Sequence, residues 1–365
     1  MTPSEIHVVV PGSLDQWSGG YIYDARMVEG LRRLGWGVVV HSLDGEFPDV
    51  DTCARISFTK ILKEIPNNSF VIVDGLAMGA LPESVRAHSR RLRILALVHH
   101  PLADETGLKP RQRERFSALE REALAACTGV MVTSEFTASR MKVLGVPTAR
   151  MRVVLPGIEP ARAAVGPEPD DPPKLLCVAS VIPRKGQDVL IRALALLPEA
   201  RWRCVCVGSL TRAPVYAAGV QAQAFAAGLG ERVHFVGECE PDVLEDLYHS
   251  SSVFVLPSHY EGYGIALTEA LARGLPVIST TGGAIPHTVP ADAGVLVPPG
   301  DHGALAGAIS DLLLDAPGNS RSDMSSSSEL RTKFAAAGRR HAKTLPDWKE
   351  AAVAFAAATL ELAKD

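Results

Sequence analysis

Residues 253–274 read VFVLPSHYEGYGIALTEALARG. The first four, Val253–Leu256, are apolar without alternation, which is how a parallel strand buried on both faces reads. A polar turn follows with glycines at Gly262 and Gly264. Apolar residues then recur at helical spacing from Ile265 through Ala270 and Leu271, and Arg273-Gly274 ends the run as a helix C-terminus does. A second apolar run, Val277–Thr280, begins three residues later. Strand, glycine-bearing turn, helix and strand again make a βα unit of a parallel sheet.

The same unit repeats along the whole chain. In the first half the apolar runs are Ile6–Val10, Gly37–His41, Phe70–Val73, Ile94–Val98, Val130–Thr133 and Val153–Leu155. In the second half they are Leu175–Ala179, Arg203–Val207, Val233–Val236, Val253–Leu256, Val277–Thr280 and Val295–Val297. Helix-period segments separate them, so the fold class is α/β with two doubly wound, Rossmann-like domains. The stretch EPARAAVGPEPDDPP, residues 159–173, is polar, proline-rich and aperiodic, and reads as a linker. The domains are therefore expected at residues 1–158 and 174–346. Ala316–Ser328, with four consecutive serines, reads as a surface loop. A last apolar helix, residues 347–365, is free to pack on either domain.

Composition removes several function classes. The 365 residues carry 37 Lys and Arg against 41 Asp and Glu, a formal charge of -4, and no basic excess of the kind nucleic acid requires. Lys109, Arg111, Arg113 and Arg115 form one local basic cluster. It is either a weak anion- or membrane-surface patch or, the favoured reading, a solvated helix face beside Glu114, Glu120 and Glu122. No run approaches the ~18 apolar residues of a membrane span. The N-terminus lacks a signal-peptide pattern, so a cytoplasmic protein is expected. The six cysteines form no CxxC pair and mostly sit in apolar runs, as reduced core thiols do. Asp49-Val-Asp51 has the spacing of an acidic metal motif, but it stands in a Pro-Asp loop. No metal and no cofactor are expected.

The candidate chemistry gathers at strand ends. Ligands of such sheets bind outside the carboxyl ends of the strands. Gly262 and Gly264 let a ligand approach the backbone, and the helix opening at Ile265 offers free N–H groups and a positive dipole end to a phosphate. Glu261 and Glu269, at the two ends of EGYGIALTE, cannot serve a phosphate, and their natural partners are sugar or ribose hydroxyls. Arg184 and Lys185 follow the first strand of the second half and could neutralise a diphosphate. Thr281-Gly282-Gly283-Ala284-Ile285-Pro286 adds a glycine-rich turn at the same edge. In the first half, Ser18-Gly19-Gly20 opens a helix after the first strand, Asp74-Gly75 ends the third, and His99-His100 ends the fourth. The dinucleotide fingerprint GxGxxG is absent.

These stretches together resemble the retaining glycosyltransferases of family 4, which have the GT-B fold of two such domains facing each other across a cleft. The likeness covers nearly the whole chain. It is carried by SGGYIYDARMVEGLRRLGWGVVVHS, VVLPGIEP, ASVIPRKGQDVLIRAL, PSHYEGYGIALTEALARGLPVISTTGGAIP and the final LPDWKEAAVAFAAATLELA. The resemblance implies a metal-independent transfer of a sugar from a UDP- or GDP-linked donor to a hydroxyl of a small-molecule, glycan or lipid-linked acceptor. Glu269 would hold the donor ribose and Glu261 the transferred sugar, with backbone contacts from Gly262, Tyr263, Gly264 and Ile265. Lys185, with Arg184, would hold the diphosphate, approached by Gly19 and Gly20 of the first domain. His99 matches the family histidine near the reacting carbon. The final helix would return to the N-terminal domain. Three positions depart from the pattern: Ala179-Ser180 replaces Gly-Arg, Pro156-Gly157 replaces Asn-Gly, and His287 stands where many members have Glu. The first removes a phosphate-binding arginine that Arg184 would replace. Two alternatives remain, a nucleotide-sugar epimerase or hydrolase and a silent nucleotide-binding partner subunit. Oligomeric state, donor sugar and acceptor are not legible.

Overall fold

The computed structural model describes residues 5–197, 201–313 and 327–363. Most of the serine-rich stretch lies outside them, and only its end is described, where Ser327 opens the helix Ser327–Ala342. The chain divides into two units, Met1–Gly157 with Pro346–Asp365, and Ile158–Leu345.

The first unit is built on β1 (Glu5–Pro11), β2 (Gly37–Leu43), β3 (Phe70–Asp74), β4 (Arg93–Val98), β5 (Gly129–Val132) and β6 (Met151–Val153). All pairs are parallel, in the order β2-β1-β3-β4-β5-β6. Only β6 departs appreciably from the apolar run that marked it. The ladder with β5 ends at Val132–Val153, and the next carbonyl, Val154, accepts the Tyr23 hydroxyl at 3.0 Å. The second unit holds β7 (Lys174–Val178), β8 (Arg203–Val207), β9 (Val233–Gly237), β10 (Val253–Leu256), β11 (Val277–Thr280) and β12 (Gly294–Val297). Its order is β12-β11-β10-β7-β8-β9, again all parallel. In each sheet the chain first builds outward on one side and then on the other. The direction reverses between β1 and β3 in one and between β7 and β10 in the other. The helices that follow such neighbouring strands pack on opposite faces of the sheet, and a crevice opens at the strand ends between them.

Residues 159–173 form no helix or strand, as their prolines dictate, but they are not a free linker. They belong to the second unit, where the Ala164 N–H donates to the Arg273 carbonyl at 2.8 Å and the Val165 N–H to the His249 carbonyl at 2.9 Å. The helix Trp348–Leu362, capped by Asp347 and Glu350, packs on the helix Gly19–Arg33 of the first unit. Tyr23 meets Trp348 and Phe355 edge to face.

Two smaller readings are corrected. Glu120 is not on a solvated face. It is fully buried because it falls on the inward stripe Phe116, Glu120, Ala123, Leu124 of the helix Pro110–Ala126. There its carboxyl takes the Leu102 N–H at 3.1 Å, and burial pushes it up to about 8. Cys53 is exposed, unlike the buried Cys127, Cys177, Cys204 and Cys206. The acidic pair Asp49 and Asp51 is used locally, Asp49 pairing with Arg115 and Asp51 capping a helix through the Ala54 N–H.

The close approach of the two helices depends on Gly30. A Cβ built there would stand 2.3 Å from the Cβ of Ala352. Gly30→Leu is expected to lower stability by ~1–3 kcal/mol, the cost of overpacking a filled contact. Thermal unfolding of the full chain checks this, and a variant as stable as the parent would mean the helices part without cost.

Candidate active site

In the second unit the loops after β7 and β10 flank the reversal point. They are tied together by their backbones, the His259 N–H donating to the Arg184 carbonyl at 2.8 Å, while Arg184 Nη1 donates to the Tyr260 carbonyl at 3.0 Å. Between them lies Glu261, 5% exposed. Lys185 Nζ donates to its Oε1 at 2.6 Å, and Ser258 Oγ donates to the same oxygen at 2.6 Å. Arg184 stands 3.5 Å from Oε2. Burial alone would raise the Glu261 pKa, but Lys185 first and then Arg184 outweigh it, so the carboxyl is held below its ordinary value. A carboxylate and two cations therefore meet in one small, largely closed volume, with one positive charge in excess.

The third loop at this edge completes the floor. Gly283 pairs with Glu261 as an isolated parallel bridge, and the Ala284 N–H donates to the Glu261 carbonyl at 2.8 Å. Gly264 caps the helix Ile265–Ala272 at φ +96° with no side-chain cap, so the first N–H groups of that helix are available to an anion. The next turn carries Glu269, whose Oε2 accepts the Tyr248 hydroxyl at 3.0 Å. Tyr263 is largely buried. Its carbonyl already accepts the Thr288 hydroxyl at 2.7 Å, which leaves its N–H as the backbone group to offer.

In the first unit the loops after β1, β3 and β4 bring together three side chains. His99 follows β4, Asp74 ends β3, and Asp24 lies on the helix that Gly19 and Gly20 open. His99 Nε2 is 3.0 Å from Asp24 Oδ1 and 3.5 Å from Asp74 Oδ2. Gly20 leaves just enough room, since a Cβ there would lie 3.2 Å from His99 Cδ2. The Tyr23 ring meets the imidazole edge to face at 5.6 Å. The backbone carbonyl of His99 accepts from the Thr133 and Thr137 hydroxyls. Its neighbour His100 turns to Glu105 instead, at 3.3 Å.

Of the residues singled out in the sequence, Lys185, Arg184 and Glu261 converge, and Gly19, Gly20 and His99 lie at one edge of their own sheet. Glu269 sits one turn into the following helix, held by a core tyrosine. Ser258, Tyr248 and Asp24 were not anticipated. Ser258 and Tyr248 come into contact with the two glutamates only through the fold. Asp24 did leave a signal, an acid four residues after Gly20 on a helix face otherwise marked by apolar Met27, Val28 and Leu31.

Residues 160–339 match the family described as glycosyl transferases group 1. Over 82% of the chain and 80% of the relative, the sequence is 29% identical to a GDP-mannose-dependent alpha-(1-6)-phosphatidylinositol monomannoside mannosyltransferase of Mycolicibacterium smegmatis. It is 31% identical to a D-inositol 3-phosphate glycosyltransferase of Xylanimonas cellulosilytica over 67% of the chain, spanning 60% of that relative's length. Among solved structures, the sucrose-phosphate synthase of Thermosynechococcus elongatus has the same fold, with a TM-score of 0.78 at 22% identity over 96% of this chain and 97% of that one. The fold is GT-B.

The floor of the Glu261 site gives a direct test. Gly283 has φ +63°, and a Cβ there would stand 2.3 Å from the Glu261 carbonyl oxygen. Gly283→Ala is expected to cost ~1–3 kcal/mol in strain and to displace the Glu261 loop. Chemical denaturation measures the first. An unaltered midpoint would show that the bridge is dispensable.

Proposed function

The chain belongs to the glycosyl transferases group 1 family through residues 160–339, and from that premise we propose that it moves a hexose from a UDP- or GDP-linked donor to an acceptor hydroxyl, without a metal and with retention at the anomeric carbon. The observation that carries this reading is the buried cluster of Lys185, Arg184 and Glu261 at the reversal point of the second sheet. Lys185 and Arg184 receive the diphosphate, together with the uncapped N–H groups that open the helix at Ile265. Glu261, once its cations are shared with phosphate, is an acceptor for the hydroxyls of the sugar. Glu269, oriented by Tyr248, takes the ribose hydroxyls. As the bond between sugar and diphosphate breaks, negative charge grows on the leaving phosphate. Cations and N–H groups already in position stabilise that charge with no reorganisation. The acceptor hydroxyl adds on the face the diphosphate leaves, and the departing phosphate oxygen takes its proton.

His99 is the residue of the first unit that acts on the reacting sugar. Gly19 and Gly20 are the backbone approach to the diphosphate. The relatives' names make GDP-mannose the first donor to test and an inositol-containing or lipid-linked acceptor the first acceptor class.

Donor binding tests the constellation. Calorimetry of the full chain with GDP and with UDP should give one site. Lys185→Ala and Glu269→Ala should each weaken it by ~1.5–3 kcal/mol, the value of a lost hydrogen bond to a charged group. Unchanged binding in both variants would remove the second unit's cluster from the site.

Chemistry tests the rest. With a working acceptor, the reaction should proceed in excess EDTA, and early proton NMR should show an α-linked product from an α-linked donor. Loss of turnover restored by Mg²⁺ or Mn²⁺ would overturn metal independence, and a β-linked product would overturn retention. Release of free sugar at an equal rate without acceptor would make the protein a hydrolase.

A further inference from the structure

Asp24 is 1% exposed, and its Oδ1 holds His99 Nε2. Its other oxygen, Oδ2, is buried with no hydrogen-bond partner, and the residue lines a small cavity with Val8, Met27, Val28, Ile72 and Phe355. Asp74 is buried as well. Its Oδ1 takes the Leu76 N–H at 2.7 Å, which aims Oδ2 at His99. A carboxylate in an apolar pocket with an empty lone pair is costly, and a neighbouring cation is the usual compensation. Both polar contacts of the imidazole run through Nε2, while the side chain keeps 21% of its surface open. Nδ1 is left with no partner among the described residues.

We propose that Asp24 and Asp74 are positioning residues that fix His99 as a doubly protonated imidazolium, with Nε2–H turned inward and Nδ1–H presented to the substrate as a charged hydrogen-bond donor. The proposal rests on the reading of His99 given above. Burial would lower the His99 pKa, but Asp24 and Asp74 override it and hold it above its ordinary value. Burial in turn raises Asp24. Tyr23 is the other ionisable neighbour, and burial raises its pKa too, so it stays neutral. An imidazolium has no lone pair to offer. His99 in this state cannot serve as the base that deprotonates the acceptor, and that proton must go to the departing phosphate. What His99 supplies instead is a fixed positive donor for an oxygen of the sugar or of the leaving group.

The experiment has two arms on the full chain. In the first, histidine-selective ¹⁵N labelling and NMR at pH 8 read the ring, with His99→Gln identifying its signals. The parent should show both ring nitrogens protonated. Asp24→Asn should show a neutral ring, and Asp74→Asn, which keeps an oxygen for the Leu76 N–H, should shift it the same way. In the second arm, release of GDP from GDP-mannose and of UDP from UDP-glucose is measured beside calorimetry of the free nucleotides. Asp24→Asn and Asp74→Asn should lower kcat on the order of 10–100-fold, the usual loss when the carboxylate partner of a functional histidine goes, with nucleotide affinity unchanged. His99→Ala should lose at least as much, and His100→Ala should not.

A neutral His99 in the parent at pH 8 overturns the proposal without touching the glycosyltransferase reading. So does loss of turnover in His99→Ala with none in either Asn variant. Full turnover in a folded His99→Ala instead sinks the role of His99 beneath it. The three ligand-type atoms lie within 4.8 Å of one another, a spacing that also suits a divalent cation. Stoichiometric metal in the purified parent, lost in Asp24→Asn, would replace the imidazolium with an ion. Should Asp24→Asn fail to fold, Asp74→Asn carries both arms.

Discussion

Everything in the second unit's site turns on the ion pair between Lys185 and Glu261, 2.6 Å long and almost closed to solvent. Removing two charges from water costs several kcal/mol per ion, and their mutual attraction rarely returns more than that. The pair is therefore poor evidence of a stabilising device. Its surroundings point the same way. A second cation, Arg184, and a hydroxyl, Ser258, are also aimed at the same carboxylate. Three polar partners from two loops are more than one buried acid needs. They make sense as a site assembled for a ligand that carries its own negative charge.

The topology explains why the loops meet. The first strand of the sheet, β7, ends next to β10 although 74 residues separate Val178 from Val253 in number. Because the order reverses there, no crossover helix covers the gap above them, and loops after both strands can converge on the same volume. Glu261 then needs a backbone that turns back across the strand ends. The bridge to Gly283 and the bond from Ala284 hold it. The same logic at β1, β3 and β4 brings Asp24, Asp74 and His99 together from three segments.

The division between what the sequence discloses and what it hides follows from these distances. The βα rhythm is local, so all twelve strands could be placed from apolar runs, and Ile265 could be named as a helix start. The drift at β6 arises because a strand ends where its partner does, which no local pattern records. Lys185 and Glu261 could each be singled out by their loops, but not their contact. Arg184 was expected to compensate for an arginine missing at Ser180. Its side chain faces Glu261 and Tyr260, a geometry that only the folded loops decide. Tyr248 was singled out by no local pattern. Its ring is buried in the core, and only its hydroxyl reaches Glu269. Glu120 shows the converse. Counting charges near Lys109 placed it in solvent, whereas the helical period starting from Phe116 would have placed it inside.

The two clusters are built on opposite signs. One unit buries an anion, Glu261, and sets two cations beside it; the other buries two carboxylates, Asp24 and Asp74, and sets the partly open His99 beside them. Each arrangement leaves the central group oriented before any ligand arrives. A charge that must rotate or shed water during a reaction loses part of its effect to that reorganisation, whereas a charge locked by neighbours acts at full strength from the start. Locking also limits what each group can do. A glutamate whose Oε1 already takes Lys185 and Ser258 is badly placed to attack a sugar carbon, since attack needs a free lone pair and loss of those bonds. A histidine held as the proposed imidazolium has no lone pair with which to accept a proton. On the proposed reading neither cluster provides an enzymatic nucleophile or base. A single-face displacement, in which the leaving phosphate collects the acceptor's proton, asks of each cluster only fixed charge, in a fixed position.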